Sequence, residues 1–214
     1  MRREREAVRA MLRLYAVTDR AWTGRQTLEE QIEEALAGGA TCVQLREKAL
    51  ARKDFFGEAI RVREICRRCG VPLIINDDVE LAIACGADGV HVGQDDMDAA
   101  RIRKMAGEEM IIGVTAKTIE QAQRAQAAGA DYLGSGAVFG TTTKPGAKPL
   151  SLTALAQIVQ AVSIPVVAIG GISRENIGRL AGTGVCGAAV VSGLFAAENI
   201  REEACILRAL AEEL

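Results

Sequence analysis

The sequence predicts an α/β protein built as a single-domain (β/α)8 barrel, the TIM barrel. Short aliphatic runs recur about every 20 to 25 residues, as expected for parallel strands that are buried on both faces. An amphipathic segment follows each run, which gives the strand and helix alternation of α/β folds. Eight such units fit a closed barrel better than a doubly wound sheet, which usually has about five or six strands.

The eight predicted strands are the aliphatic runs themselves. Their ranges are 14–18, 42–45, 73–76, 89–92, 111–115, 132–134, 166–169 and 188–191. We predict one domain over residues 1–214, in which 1–12 form a charged, helical extension before the first strand. Hydrophobic residues make up 49% of the chain and aromatic residues only 3%, so small and branched aliphatic side chains must fill the core.

Helix signals lie between the predicted strands. Thr27 opens a helix over 27–37 and is followed three positions later by Glu30, which is the spacing of a capping box. A second clear helix covers 118–128 and ends at Gly129. Four helix ends carry similar glycine-containing segments, at 37–40, 85–88, 128–131 and 183–186, where glycine stops a helix before the next strand.

Charge and cysteine usage exclude several classes of protein. The net charge is −2, so the chain lacks the basic surface that binds nucleic acid. Residues 1–9 lack the apolar core of a secretory signal, and no apolar run reaches the roughly 18 residues of a membrane span. The six cysteines are dispersed, and the pair Cys66 and Cys69 has no second pair to complete a metal site. We therefore expect free thiols and a cytoplasmic protein without a nucleic-acid or membrane partner.

Polar and glycine-rich segments follow the predicted strands, at the barrel end where catalytic groups lie in this fold. They are Gln44-Leu45-Arg46-Glu47-Lys48, Asn76-Asp77-Asp78, His91-Val92-Gly93-Gln94-Asp95-Asp96, Thr115, Thr141-Thr142-Thr143-Lys144-Pro145-Gly146, Gly170-Gly171-Ile172-Ser173 and Val191-Ser192-Gly193. Polar loops are common, but here each differs in character: basic after strand 2, acidic after strands 3 and 4, and glycine-rich after strands 7 and 8.

Two glycine-containing segments indicate a phosphate site. Gly170 to Ser173, followed by a helix, and Ser192-Gly193 one unit later occupy the positions where barrels bind phosphate. Glycine lets the backbone approach an anion, and N–H groups at a helix start favour it. The alternative is a tight turn with a serine cap.

Acidic residues after strands 3 and 4 indicate a Mg²⁺ site. Asp77 and Asp96 follow adjacent strands, and Mg²⁺ typically takes one or two carboxylates together with water and phosphate oxygens. The sequence leaves open which member of each pair points inward. Asp78 could instead cap a helix that begins at Val79, and Asp95 could cap the next helix or face solvent.

Cations after strand 2 indicate a second, more highly charged phosphate group. Arg46 and Lys48 are two residues apart and project to the same side of an extended segment, which suits a diphosphate. Lys144 could reach either phosphate. The alternative is a solvated loop in which Glu47 pairs with its neighbours. His91, the single histidine, is interpreted as a hydrogen-bonded structural residue rather than a catalytic base.

In order and spacing, these segments resemble the thiamine-phosphate synthase family. The resemblance extends from about residue 14 to 195, and it rests on the whole set, because each motif alone is only moderately specific. Thr115 stands where the family usually has serine, which keeps the hydroxyl and adds a methyl group.

The resemblance implies a transferase that uses Mg²⁺. It would condense 4-amino-2-methyl-5-(diphosphooxymethyl)pyrimidine with a thiazole phosphate, or its carboxylated form, to give thiamine phosphate and diphosphate. The implied pyrimidine diphosphate contacts are Gln44, Leu45, Arg46, Glu47, Lys48, Asn76 and Lys144, and Thr115 is an implied substrate contact. The implied thiazole phosphate contacts are Thr141, Thr142, Thr143, Gly171, Val191 and Ser192. Asp77 and Asp96 would hold the metal, and Arg46, Lys48 and Lys144 would be the catalytic cations.

The loop residues and the family resemblance indicate the same mechanism, in which diphosphate leaves and the protein supplies charge and position rather than a nucleophile. Three alternatives remain open. A thiazole tautomerase is disfavoured by the basic and acidic loops, and a phosphate-sugar isomerase or epimerase by the shortage of general bases. A barrel that only senses thiamine phosphates is disfavoured by the full charged set. The sequence does not fix the oligomeric state, for which a homodimer is one candidate.

Overall fold

Eight parallel strands close into a barrel in which each strand pairs with the next in sequence and β8 pairs with β1. A computed structural model describes residues 5–140 and 149–214. The strands are β1 (Leu14–Val17), β2 (Cys42–Leu45), β3 (Leu73–Asn76), β4 (Gly89–Val92), β5 (Ile111–Thr115), β6 (Tyr132–Gly136), β7 (Val166–Ile169) and β8 (Ala188–Val190). This confirms the predicted (β/α)8 barrel.

The predicted strand boundaries agree with the structure to within two residues. The largest difference is at β6, which continues through Ser135 and Gly136 because both pair with residues of β7. Residues 134–136 do not look like a strand in sequence, because two of the three are glycine, which is depleted in strands.

Helices connect the strands around the outside of the barrel. They are α1 (Arg5–Met11), α2 (Leu28–Ala37), α3 (Arg52–Cys69), α4 (Val79–Cys85), α5 (Ala99–Ala106), α6 (Ile119–Ala127), α7 (Leu152–Gln160), α8 (Ser192–Phe195) and α9 (Ile200–Glu212). Short 3₁₀ helices span Arg20–Trp22 and Ile177–Leu180. The second of these takes the place of an α-helix between β7 and β8.

The helix ends follow the local sequence. The predicted capping box is present at Thr27, whose side chain accepts from the Glu30 N–H while the Glu30 carboxylate accepts from the Thr27 N–H. Thr118 caps α6 through the Gln121 N–H. Gly86 ends α4 with a φ of 67°, a left-handed conformation that glycine adopts without steric penalty.

The apolar core has two layers. Outward-facing strand residues pack against the helices, and a second cluster fills the barrel itself. Val8 and Met11 of α1, together with Leu12, belong to the inner cluster, so the N-terminal helix covers the amino ends of the strands. The opposite, carboxyl end of the barrel is left for the functional site.

All six cysteines are free thiols. Cys66 is buried in α3, and burial raises the pKa of its thiol to about 12. None of the helices among the described residues combines the length and the apolar character that a membrane crossing requires.

Candidate active site

A cavity opens at the carboxyl end of the barrel, and every strand or its following loop contributes to the wall. The lining residues are Tyr15, Val17, Gln44, Arg46, Lys48, Asn76, Asp77, His91, Gly93, Asp96, Thr115, Lys117, Gly134, Gly136, Ala137, Val167, Ile169, Gly170, Gly171, Ile172, Ala189, Val191 and Ser192. The sequence segments after the strands therefore meet at one place, as the barrel rule predicts.

Ten of the predicted site residues line this cavity. They are Gln44, Arg46, Lys48, Asn76, Asp77, Asp96, Thr115, Gly171, Val191 and Ser192. Thr141, Thr142, Thr143 and Lys144 lie outside the described residues, so their predicted roles stay predictions.

Leu45 and Glu47 do not line the cavity with the others. Leu45 is fully buried in the core layer between barrel and helices, because successive side chains of a strand point to opposite faces. The Glu47 side chain points to the backbone of its own loop. Any contact of these two residues with a substrate stays a prediction.

Glu47 holds the loop after β2 in shape. Its Oε1 accepts hydrogen bonds from the backbone N–H groups of Lys48, Ala49 and Leu50, at 2.7, 2.6 and 3.2 Å. Its Oε2 accepts from Arg20, whose guanidinium also binds the buried Glu58. Burial alone would raise the pKa of Glu47, but the Ala49 N–H and the Arg20 guanidinium outweigh it and lower that pKa.

The two cations of this loop line the cavity, and each is paired with a carboxylate. The Arg46 guanidinium donates to the Asp19 carboxylate at 2.9 Å, and the Arg46 backbone N–H donates to the Thr18 hydroxyl. Lys48 donates to Asp77 at 2.5 Å. The alternative was a solvated loop in which Glu47 pairs with the side chain of Arg46 or Lys48. The structure shows otherwise, because the Glu47 carboxylate accepts from backbone N–H groups and from Arg20.

Asp77 and Asp78 have different surroundings. Asp78 caps α4 by accepting from the Leu81 N–H at 2.8 Å, whereas Asp77 lines the cavity. Asp77 has a φ of 64°, the one positive value outside glycine among the described residues. Aspartate tolerates this conformation better than most residues, and such conformations concentrate at functional sites.

Asp96 is the inward member of the second pair. It lines the cavity, and its Oδ2 accepts from the Gly93 N–H at 2.7 Å. Asp95 is exposed, and Asp98 rather than Asp95 caps α5. The structure thus separates the members of both acidic pairs, which the sequence left open.

The two carboxylates fit Mg²⁺ better than a metal that prefers cysteine or histidine ligands. Two carboxylates face one cavity from adjacent loops, and Mg²⁺ usually takes one or two carboxylates and fills its shell with water and phosphate oxygens. Within residues 5–140 and 149–214, no three His, Cys, Asp or Glu side chains gather into a metal cluster. A site of this kind would therefore depend on the substrate for further ligands.

Backbone atoms form the wall on the side of β7 and β8. Gly171 has a φ of 66°, and a Cβ there would collide with the carbonyl oxygen of Gly140. A Cβ at Gly193 would likewise collide with the carbonyl oxygen of Ile172. These close approaches place Ser192 and the Gly171 backbone side by side at the cavity, where N–H groups can meet an anion.

A buried hydrogen-bonded chain forms the cavity floor. It connects Gln44, Tyr15, Tyr132, His91 and Thr115 through four contacts of 2.8 to 3.0 Å. Both nitrogens of His91 are engaged, in agreement with the structural role predicted for that residue. The sequence analysis missed the two tyrosines. Their signal was available, because they are the only tyrosines of the chain and both lie on inward-facing strand positions.

Lys117 was also missed. It lines the cavity two residues after Thr115, so a third cation reaches the site from the loop after β5. Its position two residues after a predicted strand, at the catalytic end of the barrel, could have indicated this role.

Comparison with known proteins decides the family. The family model for thiamine monophosphate synthase matches residues 14–194. The chain belongs to the thiamine monophosphate synthase family. The matched span contains every element that lines the cavity, and it confirms the resemblance seen in the loop motifs.

Individual members of the family are similar over most of the chain. The thiamine-phosphate synthase of Ruminiclostridium cellulolyticum is 51% identical over 191 residues, which cover 89% of this chain and 91% of that protein. The thiamine-phosphate synthase of Chloroflexus aurantiacus is 48% identical over 92% of both chains. A solved structure, thiamine phosphate pyrophosphorylase from Pyrococcus furiosus, superposes with a TM-score of 0.88 at 37% identity, covering 96% of this chain and 98% of that one.

Proposed function

We propose that the protein is a thiamine-phosphate synthase, a transferase that joins a pyrimidine diphosphate to a thiazole phosphate. The single observation that carries this proposal is the convergence of two cations, two carboxylates and a glycine-lined backbone wall on one cavity. Family membership gives the reaction, and the cavity offers a suitable partner for each charged group of the two substrates.

The pyrimidine diphosphate would occupy the side formed by the loops after β2 and β3. Arg46 and Lys48 supply positive charge for the leaving diphosphate, and Lys144 is proposed to add to them. Gln44, Asn76 and Thr115 line the same cavity and would supply polar atoms for the pyrimidine ring. Charge-assisted contacts of this kind are the stronger class of hydrogen bond, which suits a group that must gain charge as it leaves.

Asp77 and Asp96 would hold Mg²⁺ through their carboxylates. When bound, the metal would neutralise part of the negative charge that develops on the departing group.

The thiazole phosphate would bind on the opposite side. Gly171, Val191 and Ser192 line the wall there, and Thr141, Thr142 and Thr143 are proposed to complete it. The two substrates would then approach each other across the cavity, with the thiazole nitrogen aimed at the methylene carbon of the pyrimidine.

The proposed chemistry is a dissociative displacement. The bond between the methylene carbon and the diphosphate oxygen breaks, and the electron pair leaves with the diphosphate. The aminopyrimidine ring delocalises the positive charge that remains on the carbon, and the thiazole nitrogen lone pair forms the new C–N bond. With a carboxylated thiazole, CO₂ leaves and its bonding electrons return to the ring. The protein needs no nucleophile, and cysteine is not among the residues that line the cavity.

The direct test combines purified protein, both substrates and Mg²⁺, followed by chromatography for thiamine phosphate. We expect product with Mg²⁺ and a strong decrease when the metal is chelated. A preparation that forms no product, while an established thiamine-phosphate synthase does so in parallel, would refute the proposal.

A further inference from the structure

The polar chain beneath the cavity runs between two groups that can touch the pyrimidine. Gln44 and Thr115 are the two ends of this hydrogen-bonded chain, and Tyr15, Tyr132 and His91 connect them. All of these residues except Tyr132 line the cavity. Tyr132 is fully buried and does not line the cavity, so it can act on a substrate only through its neighbours.

Hydrogen-bond chemistry gives this chain a direction. The Gln44 Nε2 group can only donate, and it donates to the Tyr15 hydroxyl at 2.8 Å. The one direction in which each tyrosine hydroxyl both accepts and donates within the chain has Tyr15 donating to the Tyr132 hydroxyl at 2.8 Å and Tyr132 donating to His91 Nδ1 at 3.0 Å. A neutral imidazole that accepts at Nδ1 carries its proton on Nε2 and donates it to Thr115 Oγ1 at 3.0 Å.

This direction turns Gln44 Nε2 toward Tyr15 and leaves Oε1, beside the second N–H, as the acceptor at that end. The Thr115 hydroxyl, having accepted from His91, keeps its proton to donate. A 4-aminopyrimidine offers the complement, an exocyclic amine that donates beside a ring nitrogen that accepts. A 4-oxopyrimidine offers the reverse, a carbonyl oxygen that accepts beside a ring N–H that donates.

We propose that Tyr15, Tyr132 and His91 are positioning residues that fix the direction of this chain and thereby make the cavity select a 4-aminopyrimidine over a 4-oxopyrimidine. The inference rests on the proposed function and extends it to substrate choice. It assigns to the three connecting residues a discrimination in binding that shape alone would not give, because the two rings are nearly isosteric.

Glycines inside the barrel leave room for the side chains of His91 and Tyr132. A Cβ at Gly113 would lie 2.5 Å from His91 Nδ1 and would collide with the Tyr132 ring. A Cβ at Gly134 would lie 3.0 Å from His91 Cε1. Two inward positions on neighbouring strands thus lack side chains where the imidazole and the phenol ring lie.

The phenols also keep their protons. Burial raises the pKa of Tyr15 well above its ordinary value, and the neighbouring Tyr132 adds to the effect. Burial likewise raises the pKa of Tyr132. Both hydroxyls therefore stay available as donors at the pH of an ordinary assay.

The test compares initial rates for the aminopyrimidine diphosphate and its 4-oxo counterpart, with saturating thiazole phosphate and Mg²⁺. We expect the wild-type protein to prefer the amino substrate strongly. Tyr132→Phe removes one link and keeps the ring, so kcat/KM for the amino substrate should fall by about tenfold to a hundredfold. The 4-oxo substrate should lose far less, and the KM for thiazole phosphate should stay near the wild-type value.

Tyr15→Phe removes the hydroxyl between Gln44 and Tyr132 and should also reduce the preference for the amino substrate. It serves as the second variant if Tyr132→Phe does not fold. Thr183→Val is the matched control, because it removes one buried hydroxyl that binds the Leu180 carbonyl away from the cavity. The control should leave the preference unchanged.

Three results would overturn the inference: an equal loss for both substrates in the tyrosine variants, a wild-type preference for the 4-oxo substrate, or a changed preference in the control. If wild-type protein forms no product at all, the proposed function fails separately. The selectivity is then measured by calorimetric binding of the two unphosphorylated pyrimidine alcohols to wild type and Tyr132→Phe. Preferential binding of the amino compound, reduced in the variant, would support the inference, and any other result would overturn it.

Discussion

The Lys48 ammonium donates to the Asp77 carboxylate at 2.5 Å, so a cation proposed for the diphosphate is bonded to a carboxylate proposed for the metal. The Lys48 side chain is 55% exposed and Asp77 is 32% exposed, so this is a solvated pair of modest strength. A divalent cation at Asp77 would compete with the ammonium, and the freed ammonium could then turn to the diphosphate.

This relationship predicts that one substitution lowers catalytic efficiency without raising the Mg²⁺ requirement. Lys48→Met removes the competing cation, so the Mg²⁺ concentration for half-maximal rate should fall or stay level. The same change removes positive charge from the leaving group, so kcat/KM should fall by roughly tenfold to a thousandfold. Lys53→Met is the control, because Lys53 is exposed on α3 and does not line the cavity. A higher Mg²⁺ requirement in Lys48→Met would contradict the proposed competition.

The metal assignment predicts a clear difference among the aspartates. Asp77→Asn and Asp96→Asn keep side-chain size, and asparagine also tolerates the positive φ of residue 77. Each should reduce turnover by roughly a hundredfold or more, and excess Mg²⁺ should restore it only partly. Asp95→Asn, at an exposed residue outside the cavity, should keep nearly wild-type rates. Steady-state rates across a Mg²⁺ titration test this, and unchanged rates in both cavity variants would remove the metal site.

The sequence predicts the two acidic loops but not which aspartate of each pair faces the cavity. The alternation of aliphatic runs and glycine-ended helices was enough to predict the barrel and the strands that precede Asp77 and Asp96. It could not separate Asp77 from Asp78, because neighbouring loop residues differ only in backbone angles that the sequence does not display. The hydrogen bonds of the Glu47 carboxylate to the backbone of its own loop could not be predicted for the same reason.

The floor of the site was harder to predict, because it depends on distant contacts. Tyr15 and Tyr132 are 117 positions apart and meet only when the barrel closes. Periodicity places each tyrosine inside the barrel without showing which side chains it meets. The chemistry of the loops was therefore visible in the sequence, and the hydrogen-bonded support beneath them was not.

Glu47 should make the stability of the protein depend on pH. Folding lowers its pKa below the ordinary value of 4.5, so the ionised carboxylate stabilises the fold above about that pH. This contribution is lost as the pH falls from there through the lowered pKa. Glu47→Gln should therefore reduce the free energy of unfolding at neutral pH, by about 1 to 3 kcal/mol, and less at acidic pH.

Urea unfolding of wild type and Glu47→Gln at pH 7 and near pH 3.5 measures the difference. Glu29→Gln serves for comparison, because Arg61 pairs with that carboxylate on the helix side, outside the cavity. Both variants should lose stability, but Glu47→Gln alone should raise the KM for the pyrimidine diphosphate. A stability difference for Glu47→Gln that grows as the pH falls would contradict the assigned role.

Gly171 should be intolerant of any side chain. Gly171→Ala forces a Cβ onto the Gly140 carbonyl oxygen at a positive φ, so the loop after β7 or the one after β6 must shift. We expect the KM for thiazole phosphate to rise by about tenfold or more, with a smaller change in the KM for the pyrimidine diphosphate. Gly178→Ala is the control, since a Cβ there meets nothing within 4 Å. Equal kinetics in both variants would argue against a thiazole phosphate site at Gly171.

A crystal structure with thiamine phosphate, diphosphate and Mg²⁺ tests the central claim most directly. We predict that the diphosphate contacts Arg46 and Lys48, that the metal lies between it and the carboxylates of Asp77 and Asp96, and that the thiazole phosphate lies against Gly171 and Ser192. Diphosphate or metal bound away from these residues, with the barrel otherwise unchanged, would contradict the account.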